Sequence, residues 1–334
     1  MSRAILIAGP CAAESEEQVL RIAQPLSRHS RATNVIFRAG VWKPRTSPDT
    51  FQGVGDVGLK WLQRVKQEYG LPVATEVSTP DQVRKALEAG IDYLWIGART
   101  SANPILVQSI ANAMRDMQPK GVLVKNPVNE DAALWIGDIQ RFRIYDLGFK
   151  IFAVHRGCGH KPCWEMAYRL RKELPEVPLL LDPSHMSGDA KKVAELCRIG
   201  DELEYDGLMI EVHDKPEEAL SDSKQQITPT ELKKLDSCAD RNETTTLLEL
   251  RWLRRMMDEV DDALWETIAR RMEVSKQIGE YKRQEGIAVV QPTRFEEILH
   301  KRLLWAKENG LSEDVVKQVM EAIHAESVKQ QFRI

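Results

Sequence analysis

The sequence predicts an α/β fold in which a closed, parallel (β/α)8 barrel is followed by an all-helical region. Eight short apolar runs recur at intervals of roughly 20 to 35 residues, and amphipathic helical stretches separate them. Eight strands alternating with helices over about 235 residues are typical of a TIM barrel. An open, doubly wound sheet is the competing arrangement, but it usually has fewer strands and a glycine-rich dinucleotide fingerprint, which this sequence lacks.

The eight apolar runs are expected to form the barrel strands in chain order. They read AILIAG, NVIFRAG, LPVATE, DYLWIG, GVLVKN, FKIFAVH, PLLLDPS and DGLMIEVH. Stretches between them, such as TPDQVRKALEAG and DAKKVAELCRIG, have the periodicity of helices that bury one face. We therefore place the barrel domain at residues 1–236, a polar linker at 237–246, and a helical domain at 247–334.

The composition excludes several classes of protein. A net charge of −3 on 334 residues gives no general attraction to nucleic acid or to anionic membranes. No apolar run approaches the ~20 residues that span a bilayer, and the first residues do not read as a signal peptide. Five scattered cysteines suit reduced thiols rather than a disulfide framework. We expect a cytoplasmic enzyme with no nucleic-acid or membrane partner.

Reactive side chains follow the predicted strands, as a barrel with a site at its C-terminal mouth requires. The residues at or near the eight run ends are Cys11, Arg38, Glu76, Arg99, Lys125, His155 with Arg156, Asp182 with His185, and Glu211 with His213. The loop after the second run adds further polar groups: Lys43, Arg45, Thr46 and Ser47. So many cations at one mouth imply one or two small ligands that carry several negative charges.

A second set of residues at the same mouth has the chemistry of a metal site. Cys11, His185, Glu211 and Asp222 offer sulfur, nitrogen and carboxylate oxygen, which suit a divalent first-row metal. Each alone also has an ordinary explanation, such as a helix cap for His185 or a solvated loop for Asp222.

The ordered motifs of the first domain resemble a known family. GPCAAES, FRAGVWKPRTSP, IGARTS, LVKNP, AVHRG, DPSHMSG, MIEVH and ALSD together resemble 3-deoxy-D-arabino-heptulosonate 7-phosphate (DAHP) synthase, over roughly residues 1 to 235. The resemblance implies condensation of phosphoenolpyruvate with erythrose 4-phosphate, the first step of the shikimate pathway. It also implies a divalent metal held by Cys11, His185, Glu211 and Asp222, most simply manganese, with cobalt, iron, zinc and cadmium as alternatives.

The same resemblance assigns the cations. Those for phosphoenolpyruvate would be Arg38, Lys43, Arg99, Lys125 and Arg156. The phosphate of erythrose 4-phosphate would bind to Arg45, Thr46 and Ser47. Lys43 is also a candidate proton donor, because neighbouring cations are expected to lower its pKa. The related eight-carbon sugar-acid phosphate synthases carry a loop resembling KANRSS where this chain has KPRTS, and this difference favours the seven-carbon product.

The helical region is expected to contain three helices. The first should run from Leu247 to about Arg283, with apolar residues at steps of three and four. The second should begin at Thr293 as its cap and end before Gly310, and Ser312 should cap the third. A helix this long exceeds what a small monomeric core needs, so the sequence predicts an intertwined homodimer.

The helical region in turn resembles the all-helical chorismate mutases, over about residues 247 to 334. The signature is RRMMDEVDDALWETIARRMEVSKQIGEYK, then QPTR, then ESVKQQ. The resemblance implies that chorismate and prephenate bind to Arg254, Arg271, Lys282, Arg294, Ser327 and Gln331, and that Arg271, Lys282 and Gln331 are catalytic. Arg254 lies ~25 Å from Arg271 along one helix, so it would complete the pocket of a second copy. Many mutases have Glu after the Arg of QPTR, and Phe295 stands there instead.

These observations predict a bifunctional enzyme, with condensation in the barrel and rearrangement of chorismate in the helical domain. The alternative for the second domain is a sensor that binds chorismate or prephenate only to regulate the barrel. Since the first predicted strand begins almost at residue 1, we expect feedback by prephenate to act through the helical domain.

Overall fold

The computed structural model describes residues 5–29, 35–45, 47–115, 117–144, 148–235 and 247–333. The chain divides into two compact units, Met1–Met256 and Met257–Ile334. The predicted linker, 237–246, lies outside the described residues.

The first unit contains the predicted eight-stranded barrel. Its strands pair in parallel, each with the next in sequence, and β8 pairs with β1 to close it. The strands are β1 (Ile5–Gly9), β2 (Val35–Arg38), β3 (Val73–Val77), β4 (Tyr93–Ile96), β5 (Gly121–Lys125), β6 (Lys150–His155), β7 (Leu179–Leu181) and β8 (Gly207–Glu211). Each lies within one of the eight apolar runs or ends one residue beyond it, so the fold class read from the sequence is confirmed.

Helices surround this barrel. They are α1 (Glu16–Leu26), α2 (Val57–Tyr69), α3 (Pro80–Glu88), α4 (Pro104–Met114), α5 (Ala132–Arg143), α6 (Trp164–Glu173), α7 (Pro183–Ser187), α8 (Ala190–Glu202) and α9 (Pro229–Leu235). Several start at side chains that accept a backbone N–H, among them Ser15, Thr79 and Asn103. One hydrophobic core lies between the helices and the strands. A smaller hydrophobic core is formed by side chains at alternate positions of the strands, among them Ile7, Trp95 and Met209.

Two local features set up the mouth of the barrel. A Cβ atom at Gly9, which has φ +148°, would lie 2.1 Å from the carbonyl oxygen of Arg38, so only glycine allows the ends of β1 and β2 to approach this closely. The short α7 begins directly after β7, and the Asp182 carboxylate accepts the backbone N–H of His185. Both features fix side chains that belong to the site.

The remaining helices are α10 (Leu248–Gln284), α11 (Pro292–Glu308) and α12 (Glu313–Phe332). Ser312 accepts the N–H of Val315, and Gly310 adopts φ +72° after α11, so both expected helix ends are confirmed. The expected cap at Thr293 is wrong. Gln291 precedes α11, and Pro292 occupies its first turn, where its missing N–H costs nothing.

The start of α10 belongs to the barrel unit. Trp252 is 1% exposed and packs against Trp164, Tyr168 and Tyr205. The division between compact units therefore lies about ten residues beyond the helical-domain start predicted at residue 247.

None of the described helices combines the length and the apolar composition that crossing a membrane requires.

Candidate active sites

A cavity of about 220 Å³ lies at the C-terminal mouth of the barrel. Six cationic side chains line it: Arg38, Lys43, Arg45, Arg99, Lys125 and Arg156. They come from the ends of β2, β5 and β6 and from the loops after β2 and β4. The structure thus brings to one small cavity all five cations expected to bind phosphoenolpyruvate, which suits a small ligand with several negative charges.

Three of the four predicted metal ligands form a compact group beside this cavity. One donor atom from each of Cys11, Glu211 and Asp222 lies within 4.8 Å of the others. The Cys11 thiol donates to Asp222 Oδ2 at 2.9 Å, and Lys43 Nζ donates to Cys11 Sγ at 3.2 Å. Asp222 adopts φ +52°, an uncommon conformation for a residue other than glycine. A buried cysteine sulfur with two carboxylates fits a divalent metal of intermediate softness, which supports the predicted site.

His185 is near this group but lies outside the set of three. Its Nε2 is 3.5 Å from Glu211 Oε1, and its Nδ1 is 2.8 Å from Asp182 Oδ2. Asp182 thus orients the ring, as carboxylates commonly orient metal-bound imidazoles. The structure places His185 beside one predicted ligand, and its role as the fourth ligand stays a prediction.

Arg38 and Glu211 form a buried ion pair under the cavity. Arg38 Nη2 is 3.1 Å from Glu211 Oε1, and the two side chains are 1% and 0% exposed. The guanidinium carbon stands 4.7 Å from the centre of the Trp95 ring, and Gln225 donates to the other oxygen of Glu211 at 2.7 Å. Burial opposes ionisation of Glu211, but His185 and Arg38 bring its pKa below the usual value. The carboxylate therefore stays ionised, as a metal ligand must.

Lys125 is fixed by a similar pair. Its Nζ lies 2.7 Å from Asp182 Oδ2, and both residues are buried. Burial raises the pKa of Asp182, but His185 and Lys125 outweigh it and hold that pKa well below the usual range. A cation held in this way is already oriented when an anion arrives.

The expectation that neighbouring cations lower the pKa of Lys43 is wrong. Burial and Arg38 do act in that direction, but Cys11, Glu76 and Glu211 raise the pKa above its usual value. Lys43 Nζ is 3.6 Å from Glu76 Oε2 and also donates to the Cys11 carbonyl at 3.0 Å. The sequence showed the cations of the loop but not the acids that face them.

Of the residues expected to bind the aldose phosphate, the structure describes Arg45 and Ser47 and places Arg45 at the cavity. Arg45 lines the cavity and contacts Ser221, whereas Ser47 is exposed and does not line it. Thr46 lies outside the described residues.

Sequence reasoning missed several side chains of this site. Trp95 lies under Arg38, Gln225 holds Glu211, and the Gln226 side chain accepts the backbone N–H of Cys11 at 3.0 Å. Two consecutive glutamines just after ALSD were an available signal, because amides so close to a predicted ligand can orient it.

The helical unit contains a second cavity, of about 380 Å³. Five of the six predicted chorismate ligands line it: Arg271, Lys282, Arg294, Ser327 and Gln331. Gln331 donates to Ser275 at 3.1 Å, Arg271 donates to Ser327, and Lys282 donates to the Val289 carbonyl at 2.8 Å. A Cβ atom at Gly279 would lie 2.9 Å from Gln331 Cα, so glycine permits α10 and α12 to approach here. Three cations and the amide of Gln331 thus face one cavity.

Arg254 does not line this cavity and is exposed. Phe295 does line it, and its ring stacks on His324, with 4.1 Å between the ring centres. Glu296, the nearest carboxylate in sequence, is exposed and does not line the cavity. His324 is a further cavity residue that sequence reasoning missed.

Family models match both parts of the chain. Residues 2–249 match the model described as the DAHP synthetase I family. The chain belongs to the DAHP synthetase I family. Residues 253–332 match the model of chorismate mutase type II, so this family member carries a C-terminal mutase domain.

Curated relatives include enzymes of two related names. The phospho-2-dehydro-3-deoxyheptonate aldolase of Thermotoga maritima is 33% identical over 66% of this chain, and the match spans 64% of that enzyme. The 2-dehydro-3-deoxyphosphooctonate aldolase of Desulfatibacillum aliphaticivorans is 30% identical over 67% of this chain and 86% of its own length. The relatives thus include enzymes named for a heptonate and enzymes named for an octonate.

The solved structures agree in fold. A crystal structure of the Thermotoga maritima DAHP synthase superposes with a TM-score of 0.62 at 29% identity, covering 71% of this chain and 68% of that one. A truncated form of the Thermotoga enzyme gives a TM-score of 0.59 at 26% identity, covering 79% and 88%.

Proposed function

We propose that the barrel condenses phosphoenolpyruvate with erythrose 4-phosphate to give DAHP, and that the helical domain rearranges chorismate to prephenate. One observation carries the first part: a cavity lined by six cations adjoins a compact Cys11, Glu211 and Asp222 group. Two phosphorylated substrates need the cations, and an aldehyde that must become electrophilic needs the metal.

The cations of the barrel would bind and orient the two anions. Arg99, Lys125 and Arg156 would hold the phosphate of phosphoenolpyruvate, and Arg38 and Lys43 would lie against its carboxylate and its reacting carbons. Arg45, which lines the cavity, would hold the phosphate of erythrose 4-phosphate, and the same role for Thr46 and Ser47 stays a prediction. This arrangement offsets the repulsion between the substrates and fixes the approach of the enol carbon to the aldehyde carbon. After the carbon–carbon bond forms, water adds at the carbon that carries the phosphate ester, and inorganic phosphate leaves.

A divalent metal fits the donor set described above. Cys11, His185, Glu211 and Asp222 would hold it, and when bound it would supply Lewis-acid polarisation of the aldehyde oxygen. Manganese is the expected metal, with cobalt, iron, zinc or cadmium as alternatives. Burial raises the pKa of the Cys11 thiol, and Glu211 adds to the effect, so binding of the cation must displace the proton.

The eight-carbon synthases are the second candidate for the barrel, because some relatives carry that name. The loop KPRTS and the attached mutase domain favour the seven-carbon reaction. Assays with erythrose 4-phosphate and with arabinose 5-phosphate separate the two. We expect turnover with the four-carbon aldose at least tenfold faster, and the reverse order would overturn the assignment.

Removal of metal tests the metal site in the same molecule. Chelation should abolish condensation and leave chorismate turnover intact, because the described residues form no such ligand group in the helical unit. Cys11→Ala should act in the same way, since loss of a ligand weakens binding of the metal. The matched control is Cys197→Ala, which removes a buried thiol on α8 that does not line the cavity. Full condensation by Cys11→Ala with unchanged metal content would contradict the ligand set.

The mutase assignment is supported by the family match and by the second cavity. Arg271 and Lys282 would bind the two carboxylates of chorismate, and the Gln331 amide would donate to the breaking ether oxygen as charge develops on it. In a homodimer, Arg254 of the second copy would complete the cavity. α10 leaves large apolar side chains exposed, such as Met257, Val260, Leu264 and Trp265, and a second copy would cover them. We place the enzyme in the cytoplasm, with no nucleic-acid or membrane partner.

A sensor domain that binds prephenate without catalysis remains the alternative. Chorismate turnover by the full chain, and its loss in Lys282→Ala, would exclude that alternative.

A further inference from the structure

The wall of the helical cavity contains a stacked pair that the mutase chemistry has not yet used. Phe295 on α11 and His324 on α12 lie with their ring centres 4.1 Å apart and their planes 25° apart. Both residues line the cavity, together with Arg271, Lys282 and Gln331. The imidazole is therefore fixed on one face by a phenyl ring and stands beside the groups expected to bind the substrate.

Chorismate carries a ring hydroxyl in addition to its two carboxylates and its ether oxygen. Phe295 has no polar atom to offer this hydroxyl. Ser275 is already engaged, because it donates to the Ser327 carbonyl and accepts from Gln331. Ser327 is engaged as well, because it accepts from Arg271 and donates to the Ile323 carbonyl. With Gln331 assigned to the ether oxygen, the neutral polar side chains that remain among the described cavity residues are His324 and Gln291, and Gln291 is exposed.

The protonation of His324 suits a hydroxyl better than a carboxylate. Burial lowers its pKa below the usual value, and the cations Arg271 and Lys282 on α10 lower it further. The group packed against it from α11 is the uncharged ring of Phe295. A neutral imidazole has one N–H donor and one nitrogen acceptor, which together match a hydroxyl group.

We infer that His324 binds the ring hydroxyl of the mutase substrate, in place of the carboxylate that Phe295 replaces. This inference rests on the proposed mutase activity and names a specificity-determining residue within it. Phe295 then holds the imidazole in position instead of touching the hydroxyl.

The test compares chorismate with its 4-deoxy analogue, which lacks this hydroxyl, in full-length variants. One neutral hydrogen bond is worth about fivefold to tenfold in kcat/KM, so the parent should prefer chorismate by that factor. His324→Leu should bring the ratio close to one while keeping turnover of the analogue. His324→Gln, which retains a donor and an acceptor, should restore part of the preference.

Two controls separate the hydroxyl contact from general damage. Gln291→Leu removes the other neutral polar side chain and should keep the ratio of the parent. Condensation by the barrel should be the same in all variants and reports that the chain is folded. If His324→Leu keeps the parental preference, or if Gln291→Leu loses it, the inference is wrong. If the parent turns over neither substrate, the proposed mutase activity itself fails.

Discussion

Arg38 shows at the scale of one residue how the barrel is prepared for anions. It is 1% exposed, and within the described residues its Nε and Nη1 atoms have no hydrogen-bond partner. Leaving buried donors unmatched costs free energy, so such groups are usually found where a ligand completes them. The pairing with Glu211 holds the guanidinium in place and leaves these two donors for the carboxylate of a substrate.

Asp138, on α5, gives a residue-scale prediction about pH. Its side chain is fully buried, and burial, with Asp131 adding to it and Arg141 opposing it, raises its pKa to about 7. Between the usual pKa and this value, the folded state binds more protons than the unfolded state. Stability therefore falls as pH rises from about 4 to 7 and levels off above that range.

Asp138→Asn should remove this dependence. It should raise the free energy of unfolding at pH 8 by up to about 4 kcal/mol and change it little near pH 4. Urea unfolding of the barrel at pH 5 and pH 8 measures the difference, with the exposed Asp49→Asn as the control. Equal effects of the substitution at both pH values would contradict the raised pKa.

At the scale of elements, the first turns of α10 act as an outer part of the barrel. Trp252 is buried among Trp164, Tyr168 and Tyr205, and the Tyr205 hydroxyl lies 2.8 Å from Nδ1 of His155 at the end of β6. Burial lowers the pKa of His155 to about 3, so this histidine is neutral and serves packing and hydrogen bonding. An aromatic cluster thus runs from α10 to the residue that precedes Arg156.

Trp252→Ala should open a cavity in this cluster and destabilise the barrel by about 3–5 kcal/mol. Because the cluster supports the end of β6, we also expect a higher KM for phosphoenolpyruvate. Trp252→Phe should have a smaller effect on both the stability and the KM. Leu253→Ala, which removes an exposed side chain next to Trp252 in sequence, should change both quantities little. Chemical unfolding and steady-state kinetics of the condensation measure these effects. A fully stable Trp252→Ala variant would show that the cluster is not a structural support.

The sequence predicted the elements well because their signals are local. All eight strands were visible as apolar runs, and most site residues were visible as polar groups at the ends of those runs. The predictions that failed concern properties that depend on contacts between residues far apart in the sequence. The pKa of Lys43 depends on Glu76 and Glu211, and the place of Trp252 depends on Trp164 and Tyr205, so neither could be read from its own segment.

At the scale of the whole molecule, two anion cavities in one chain raise the question of coupling between them. α10 is a continuous helix from Leu248 to Gln284; it begins in the barrel unit and carries Arg271 and Lys282 of the helical cavity. We expect prephenate bound in that cavity to lower the rate of condensation. This requires two states of the enzyme with different affinities for prephenate, and a coupling of about 1–3 kcal/mol would give a fivefold to hundredfold effect.

Arg271→Ala should remove mutase turnover and sensitivity to prephenate together, because chorismate and prephenate, both dianions, are expected to bind in the same cavity, which Arg271 lines. The metal content and the uninhibited condensation rate should stay unchanged. Lys276→Ala is the matched control, since this half-buried cation on the same helix pairs with Glu273 and does not line the cavity. Condensation assays at increasing prephenate concentration measure the effect. If Arg271→Ala loses mutase turnover but remains as sensitive to prephenate as the parent, the regulatory site lies elsewhere. If prephenate acts by weakening the binding of phosphoenolpyruvate, then phosphoenolpyruvate should weaken prephenate binding in the parent by the same factor, because linkage between two bound ligands is reciprocal.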